Sequence, residues 1–172
     1  MVGFVLVGGW PASGKTTLAR GLASELSVPY LSKDEVKEAL MDALGAPSTV
    51  EASRELGRAA VSAVLRAAGG CTSAVIDSTW LPYSLPQVDE LHGPFVEIRC
   101  RVDVQLARKR YHERVRDDRH LDRLRTEEEL WGREVAPLGV GPVLAVDTAE
   151  PVDVPALAER VRFLLERATG DS

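Results

Sequence analysis

The stretch Gly9-Trp-Pro-Ala-Ser-Gly14-Lys15-Thr16-Thr17 constrains this chain more than any other. It follows the apolar run Phe4-Val5-Leu6-Val7 and precedes an amphipathic one, Leu18 to Leu26, so it reads as a strand, a tight turn and a helix. The residues fit the P-loop template of glycine, four residues, glycine, lysine and a hydroxyl residue. Gly9 and Gly14 let the backbone curl round phosphates with no Cβ in the way. The amides of Ser13 to Thr17 then point inward at a helix N-terminus, which favours anions. Lys15 brings a positive charge between the β- and γ-phosphates, and the Thr16 hydroxyl is placed to bind Mg²⁺. Together with Ala12 inside the turn, these residues form the expected nucleotide-binding set, with ATP and Mg²⁺ as the expected ligands.

The rest of the chain alternates strand and helix, which implies a parallel sheet with helices on both faces. Val28–Leu31 reads as a second strand. Ser32-Lys-Asp-Glu35 and Ser48-Thr-Val-Glu51 read as capping boxes that start two helices. The first of these has Val36, Ala39, Leu40, Ala43 and Leu44 on its core face and ends at Gly45; the second has Leu56, Ala60, Val64 and Ala67 and stops at Gly69-Gly70. A buried strand, Ser73–Asp77, ends in an acid. Pro82 and Pro86 make the next connection irregular before a short helix ending near Leu91. Val96–Val102 alternates strictly, so one face of this strand is apolar and the other polar. A charged helix runs from Val104 to about Arg116, a polar turn Asp117–His120 follows, and Thr126 with Glu129 caps another helix. The last strand is Val143–Val146, and Asp153 caps a final helix whose core face carries Leu157, Val161, Leu164 and Leu165. The 172 residues contain no repeat or linker, so a single domain over 1–172 is expected.

Composition excludes some classes. Hydrophobic content of 45% is ordinary for a globular chain, and no run approaches the roughly 18 apolar residues needed to span a bilayer. The two cysteines, Cys71 and Cys100, make no disulfide framework, which favours a reduced, cytoplasmic setting with no membrane partner. The net charge of −5 argues against general nucleic-acid affinity. Charge is uneven, however: residues 101–125 hold nine Lys/Arg against five Asp/Glu. That basic segment points to a localised anionic ligand.

Several residues carry chemistry. Asp77 ends a strand where ligands of such sheets bind, and is expected to hold Mg²⁺ directly or through water; the alternative is an acid capping a loop with Ser78 and Thr79. Asp34 opens a helix on the same edge. It is either the base that takes a proton from an acceptor hydroxyl or a first-turn acid favoured by the helix dipole alone. Lys33 and Lys37 are acceptor contacts or solvated lysines. The charged helix offers Arg108, Lys109, Arg110, Arg114, Arg116 and Arg119 as partners for γ-phosphate charge, with Arg110 and Arg114 sharing one face, or as members of a salt-bridged exposed helix. The histidines, His92, His112 and His120, read as surface residues. Trp10 and Trp80 read as walls of the site and Trp131 as packing, while Asp147-Thr148 follows the last strand where a loop meets adenine.

Taken in order, Gly9–Thr17, Leu31-Ser-Lys-Asp34-Glu, Val75-Ile-Asp77-Ser-Thr79 and Arg110-x-x-x-Arg114 resemble the small P-loop kinases of the zeta-toxin, chloramphenicol-phosphotransferase and polynucleotide 5′-kinase group. The similarity covers nearly the whole chain, and Val146-Asp-Thr148 before the last helix is also typical. The resemblance implies five parallel strands in the order 2-3-1-4-5, an arginine-bearing lid over about 108–135 and an aspartate base matching Asp34. Arg110 and Arg114 match the group's lid arginines; Lys33, Lys37 and Thr79 are the candidate acceptor contacts in this chain. The implied reaction is transfer of the ATP γ-phosphate to a hydroxyl of a small molecule. A polynucleotide 5′-kinase is the alternative, and a regulatory nucleotide switch without acceptor is a further one. Two features depart from the group: the stretch Trp80–Gln87 has no arginine, and a His-Pro-Gly-His lid signature is reduced to Arg119-His120-Leu-Asp.

Overall fold

The computed structural model describes residues 2–114, 118–121, 124–132 and 135–170. In chain order the elements are β1 (Gly3–Gly9), α1 (Lys15–Leu26), β2 (Tyr30–Ser32), α2 (Lys33–Leu44), α3 (Val50–Ala68) and β3 (Ser73–Asp77). Then come α4 (Leu85–Val88), β4 (Phe95–Arg101), α5 (Val104–Glu113), α6 (Glu127–Trp131), β5 (Val143–Asp147) and α7 (Val154–Gly170). Short 3₁₀ turns cover Pro82–Ser84 and Asp118–His120.

The strands form one parallel sheet in the order β2-β3-β1-β4-β5, as the resemblance implied. Every residue of β1 is buried, which is why its run is continuously apolar rather than alternating. Successive side chains go to opposite layers. Val5 and Val7 join Val75, Val96 and Ile98 beneath α1 and α7; Phe4 and Leu6 join Ala74 and Ile76 beneath α3 and α4. Register sets the functional edge. Val7 pairs with Asp77, and Ser32 pairs with Asp77 from the other side. The loop after β1, the acid ending β3 and the start of α2 therefore share the carboxyl end of the sheet.

Local expectations met tertiary structure with mixed results. β2 begins two residues later than its apolar run, because Pro29 has no N–H to give to a ladder; only its carbonyl is used, by Val75 N at 2.9 Å. The α2 core face is one step round from the expected one. Lys37 and Met41 are buried, while Leu44 is 74% exposed, because α2 packs sideways on α3 rather than flat on the sheet. In α3 the expected Ala60 and Val64 are buried, but the seam continues through Val61, Leu65 and Ala68, not Ala67. The three capping boxes divide. Thr126 and Glu129 make a full one; Ser32 accepts from Glu35 N at 3.4 Å, yet the Glu35 carboxylate goes to Arg20; and Thr49, not Ser48, caps α3 by accepting from Ala52 N at 3.1 Å. Asp153 accepts from Ala156 N at 3.0 Å, as a cap of α7 should. α5 ends at Glu113; residues 115–117, including Arg116, lie outside the described residues.

The polar face expected for β4 is not a solvated one. Glu97 is 4% exposed, and its carboxylate accepts the N–H groups of Leu138, Gly139 and Val140 at 2.6, 2.7 and 2.9 Å. It pins the segment leading into β5 across the open side of the sheet. A glutamine has one acceptor oxygen and would turn an NH₂ toward at least one of those donors. Glu97→Gln is therefore expected to lower stability by about 2 kcal/mol, the cost of a buried donor losing a charged partner. Urea unfolding with an unchanged midpoint would show that water replaces the lost acceptor.

Candidate active site

The nucleotide loop is shaped by backbone geometry. Gly9 (φ 153°) and Gly14 (φ 83°) lie in the region that favours glycine, and a Cβ on Gly9 would come within 2.6 Å of Ser13 Oγ and 2.8 Å of the Cys100 carbonyl. Ala12, at φ 60°, takes the same region without being glycine. Ser13 N donates to the Trp10 carbonyl at 3.1 Å, closing the turn, and Gly14 is the N-cap of α1 with no side-chain acceptor. The first amides of α1 are thus left for a ligand. Lys15 is half-buried in the turn and donates to the Trp10 carbonyl at 3.3 Å. Desolvation lowers its ammonium pKa; the charges of Asp77 and Asp34 oppose that shift and the charge of Arg114 adds to it. The cation is poised among the other charged groups of the edge. Thr17 is exposed at the start of the helix.

Asp77 is 3% exposed. Its Oδ2 accepts the Thr16 hydroxyl at 2.6 Å and the Tyr30 hydroxyl at 3.2 Å, while Oδ1 is buried with no hydrogen-bond partner. Burial pushes the carboxyl pKa up, against the pull of Lys15 and the Thr16 hydrogen bond. Ser13 Oγ and Ser78 Oγ are also buried and unpartnered. Orphan polar atoms of this kind are costly unless a ligand meets them, and here they gather around the loop. Mg²⁺ takes oxygen ligands and keeps several of its waters, so a hydroxyl, one carboxylate, phosphate and water suffice. Thr16 and Asp77 fit such an ion. Among the described residues no cluster of three or more His, Cys, Asp or Glu offers a different kind of metal site.

Asp34 sits in the first turn of α2, half exposed, with Lys33 Nζ donating to its Oδ1 at 2.9 Å. Its charge is felt by both Lys15 and Asp77, so the three groups are electrostatic neighbours on this edge. Thr79 follows β3 on the same edge and is half-buried. Lys37 is neither solvated nor turned to that edge: it is 2% exposed and donates to Ser53 Oγ at 2.7 Å between α2 and α3. His120 also departs from the surface reading, being 2% exposed with its Nε2 at 2.8 Å from Glu38 Oε1.

Arg110 and Arg114 separate. Arg110 spreads its guanidinium over the carbonyls of Thr148 and Ala149, both at 2.9 Å. Arg114 lies over the Tyr111 ring at 4.3 Å, close enough to Lys15 to lower its pKa. Arg108 stacks near Trp131 and pairs with Glu127 at 2.9 Å; Arg119 pairs with Asp42 at 2.6 Å. Thr148 is a prop of the loop: its hydroxyl is 2.5 Å from the Ser13 carbonyl and 3.0 Å from that of Arg101. Trp10 lines a cavity of about 260 Å³ with Gly9, Arg99, Arg101 and Val135. Trp80 is no wall; it is buried under β1, donating Nε1 to the Val7 carbonyl at 3.1 Å, and Trp131 packs edge-on to Tyr111 as expected. Cys100, behind Gly9, has its thiol pushed up to about 12 by burial and is chemically quiet. Tyr30 escaped the sequence reading, because its reach to Asp77 depends on the β2–β3 register.

This loop on this strand order is the architecture of the small P-loop kinases. The chain belongs to the AAA domain family AAA_33, whose model matches residues 4–133. A provisionally assigned kinase from Chloroflexus aurantiacus J-10-fl is 30% identical, with a TM-score of 0.81 over 95% of this chain and 98% of that one. A Chaetomium thermophilum Kti12 in complex with ADP-AlF3 is 20% identical over 94% of this chain and 98% of its own (TM-score 0.64), and a Sinorhizobium meliloti gluconokinase is 19% identical over 99% and 97% (TM-score 0.63). These last two share the fold. Uncharacterized proteins of Mycobacterium tuberculosis and Mycobacterium bovis are 33% identical over 128 residues, 63% of this chain. The chain spans about a quarter of the length of those curated relatives (25%). No helix among the described residues is long and apolar enough to cross a membrane.

Proposed function

We propose that this protein transfers the γ-phosphate of ATP to a hydroxyl group of a small-molecule acceptor. The observation that carries the reading is the Lys15–Thr16–Asp77 constellation, with Asp34 facing it from a neighbouring element. The loop amides and Lys15 bind the β- and γ-phosphates. Thr16 and Asp77 would hold Mg²⁺, which when bound neutralises charge on the phosphates. Asp34 takes the proton of the acceptor hydroxyl as that oxygen attacks phosphorus and the bridge to ADP breaks. Its exposure leaves it reachable by a substrate, and its ion pair with Lys33 orients the carboxylate. Lys33 and Thr79 stand beside the acceptor path. Lys37 supports the α2–α3 wall from within.

Two roles are assigned to the arginines. Arg114, near Lys15, stabilises charge spread over the transferring phosphoryl group; Arg110 braces the Thr148–Ala149 loop next to the nucleotide. Arg114→Ala is expected to lower turnover by about 10²-fold with nucleotide affinity retained, the pattern of an interaction made in the transition state. Arg110→Ala is expected to weaken nucleotide affinity as well. Steady-state kinetics with ADP-binding calorimetry separates the two, and identical behaviour of both variants would remove the division of labour.

The test of the whole reading is a screen with γ-labelled ATP against hydroxyl acceptors: antibiotics, nucleosides, sugars, sugar acids and an oligonucleotide with a 5′-hydroxyl. Label transferred to a small molecule supports the proposal. Label transferred only to the oligonucleotide, or only to water, replaces it with the polynucleotide-kinase or the switch reading respectively.

A further inference from the structure

We infer that Tyr30 is a positioning residue for the metal-binding carboxylate, holding Asp77 so that Oδ1 is presented to a divalent cation; the inference rests on the phosphotransferase reading above. The two oxygens of Asp77 differ sharply. Oδ2 accepts from Thr16 at 2.6 Å and from Tyr30 at 3.2 Å, whereas Oδ1 is buried without a partner. A carboxylate turns readily about its last torsion, which is broad and two-fold, so one donor leaves the group free to swing. Two donors from different elements, α1 and β2, converge on one oxygen and remove that freedom. Thr16 alone is a weak guide, because its own oxygen is wanted by the ion. The Tyr30 hydroxyl is not itself wanted by the ion, and Ser32 and Arg20 also reach it.

The ring is held for the task. It packs against the apolar layer beneath α1, and the Arg20 guanidinium lies over it, 5.5 Å from the centroid. Arg20 in turn pairs with Glu35 at 2.5 Å, and Glu35 is the neighbour of Asp34 on α2. The support of the metal carboxylate and the helix that carries the acceptor base are thereby joined through one aromatic side chain. Phenylalanine at this position would preserve the ring, its packing and the Arg20 stack, and would delete the hydrogen bond to Asp77 together with the hydroxyl's contacts to Ser32 and Arg20, which the metal-free and urea measurements below control for.

The experiment compares wild type with Tyr30→Phe in three measurements: metal-free ADP affinity by calorimetry, Mn²⁺ affinity of the protein–ADP complex by electron paramagnetic resonance, and the urea midpoint. Mn²⁺ affinity should fall about tenfold, the scale seen when a residue supporting a metal ligand is lost. Metal-free ADP affinity and the urea midpoint should stay put. Unchanged Mn²⁺ affinity overturns the inference, and so does a parallel loss of metal-free ADP affinity, which would make Tyr30 a general structural residue. Wild-type protein that binds no ADP at all overturns instead the phosphotransferase reading, and the inference falls with it. Asp77→Asn supplies the reference for full loss of the carboxylate ligand.

Discussion

Asp34→Asn is expected to reduce phosphate transfer by about 10²–10⁴-fold, the range contributed by a positioned general base, while ATP binding is unchanged. Asparagine has the same shape and cannot take the proton of an acceptor hydroxyl. The residue is half exposed and in the first turn of α2, where the negative charge is worth only about 0.5 kcal/mol to the helix, so the fold should survive the change. The measurement is single-turnover transfer to the acceptor found by the screen, alongside nucleotide affinity by calorimetry. Loss of ATP binding would show that Asp34 is a helix-capping acid whose charge supports the loop. Retained transfer would move the base elsewhere on the edge.

Lys15→Ala should be at least as severe. Lys15 sits inside the turn with its ammonium among Asp77, Asp34 and Arg114, and no other described cation occupies the turn. Its removal takes away charge at the point where the transferring phosphoryl group gains it, a loss of about 10²–10³-fold or more in turnover. The folded protein should not suffer. Desolvation already lowers the Lys15 pKa, so the charge is held in the loop at a cost and its deletion relieves that cost. Turnover close to wild type would sink the P-loop reading, and so would a collapse of stability without a kinetic defect.

The fold was largely legible because its signals are local. The apolar run before Gly9, the acid at the end of Ser73–Asp77 and the final helix face through Leu157, Val161 and Leu165 each appear where periodicity put them. Errors arose where a neighbour, not the chain, set the environment. Lys37 and His120 look like surface residues in sequence, yet α3 and the 118–120 turn bury them and supply their partners. Glu97 looks like one tooth of a polar face, but the 138–140 backbone comes back over it. Trp80 reads as a site wall and packs beneath β1.

By itself the sequence determined the P-loop. A P-loop is contiguous, so its glycines, lysine and hydroxyl are specified by spacing along one turn, and their chemistry follows from backbone amides and charge alone. Only the tertiary structure decided what surrounds that turn. The parallel register sets Asp77 beside both Val7 and Ser32, brings the Tyr30 hydroxyl to the same carboxylate, and leaves Oδ1 without a partner. It also parts Arg110, held on the Thr148–Ala149 carbonyls, from Arg114, laid over the Tyr111 ring, although the two share a helical spacing. The physical reason is the same throughout. Side chains from separate strands and helices meet at distances that depend on register and packing, and spacing along the chain carries no record of either.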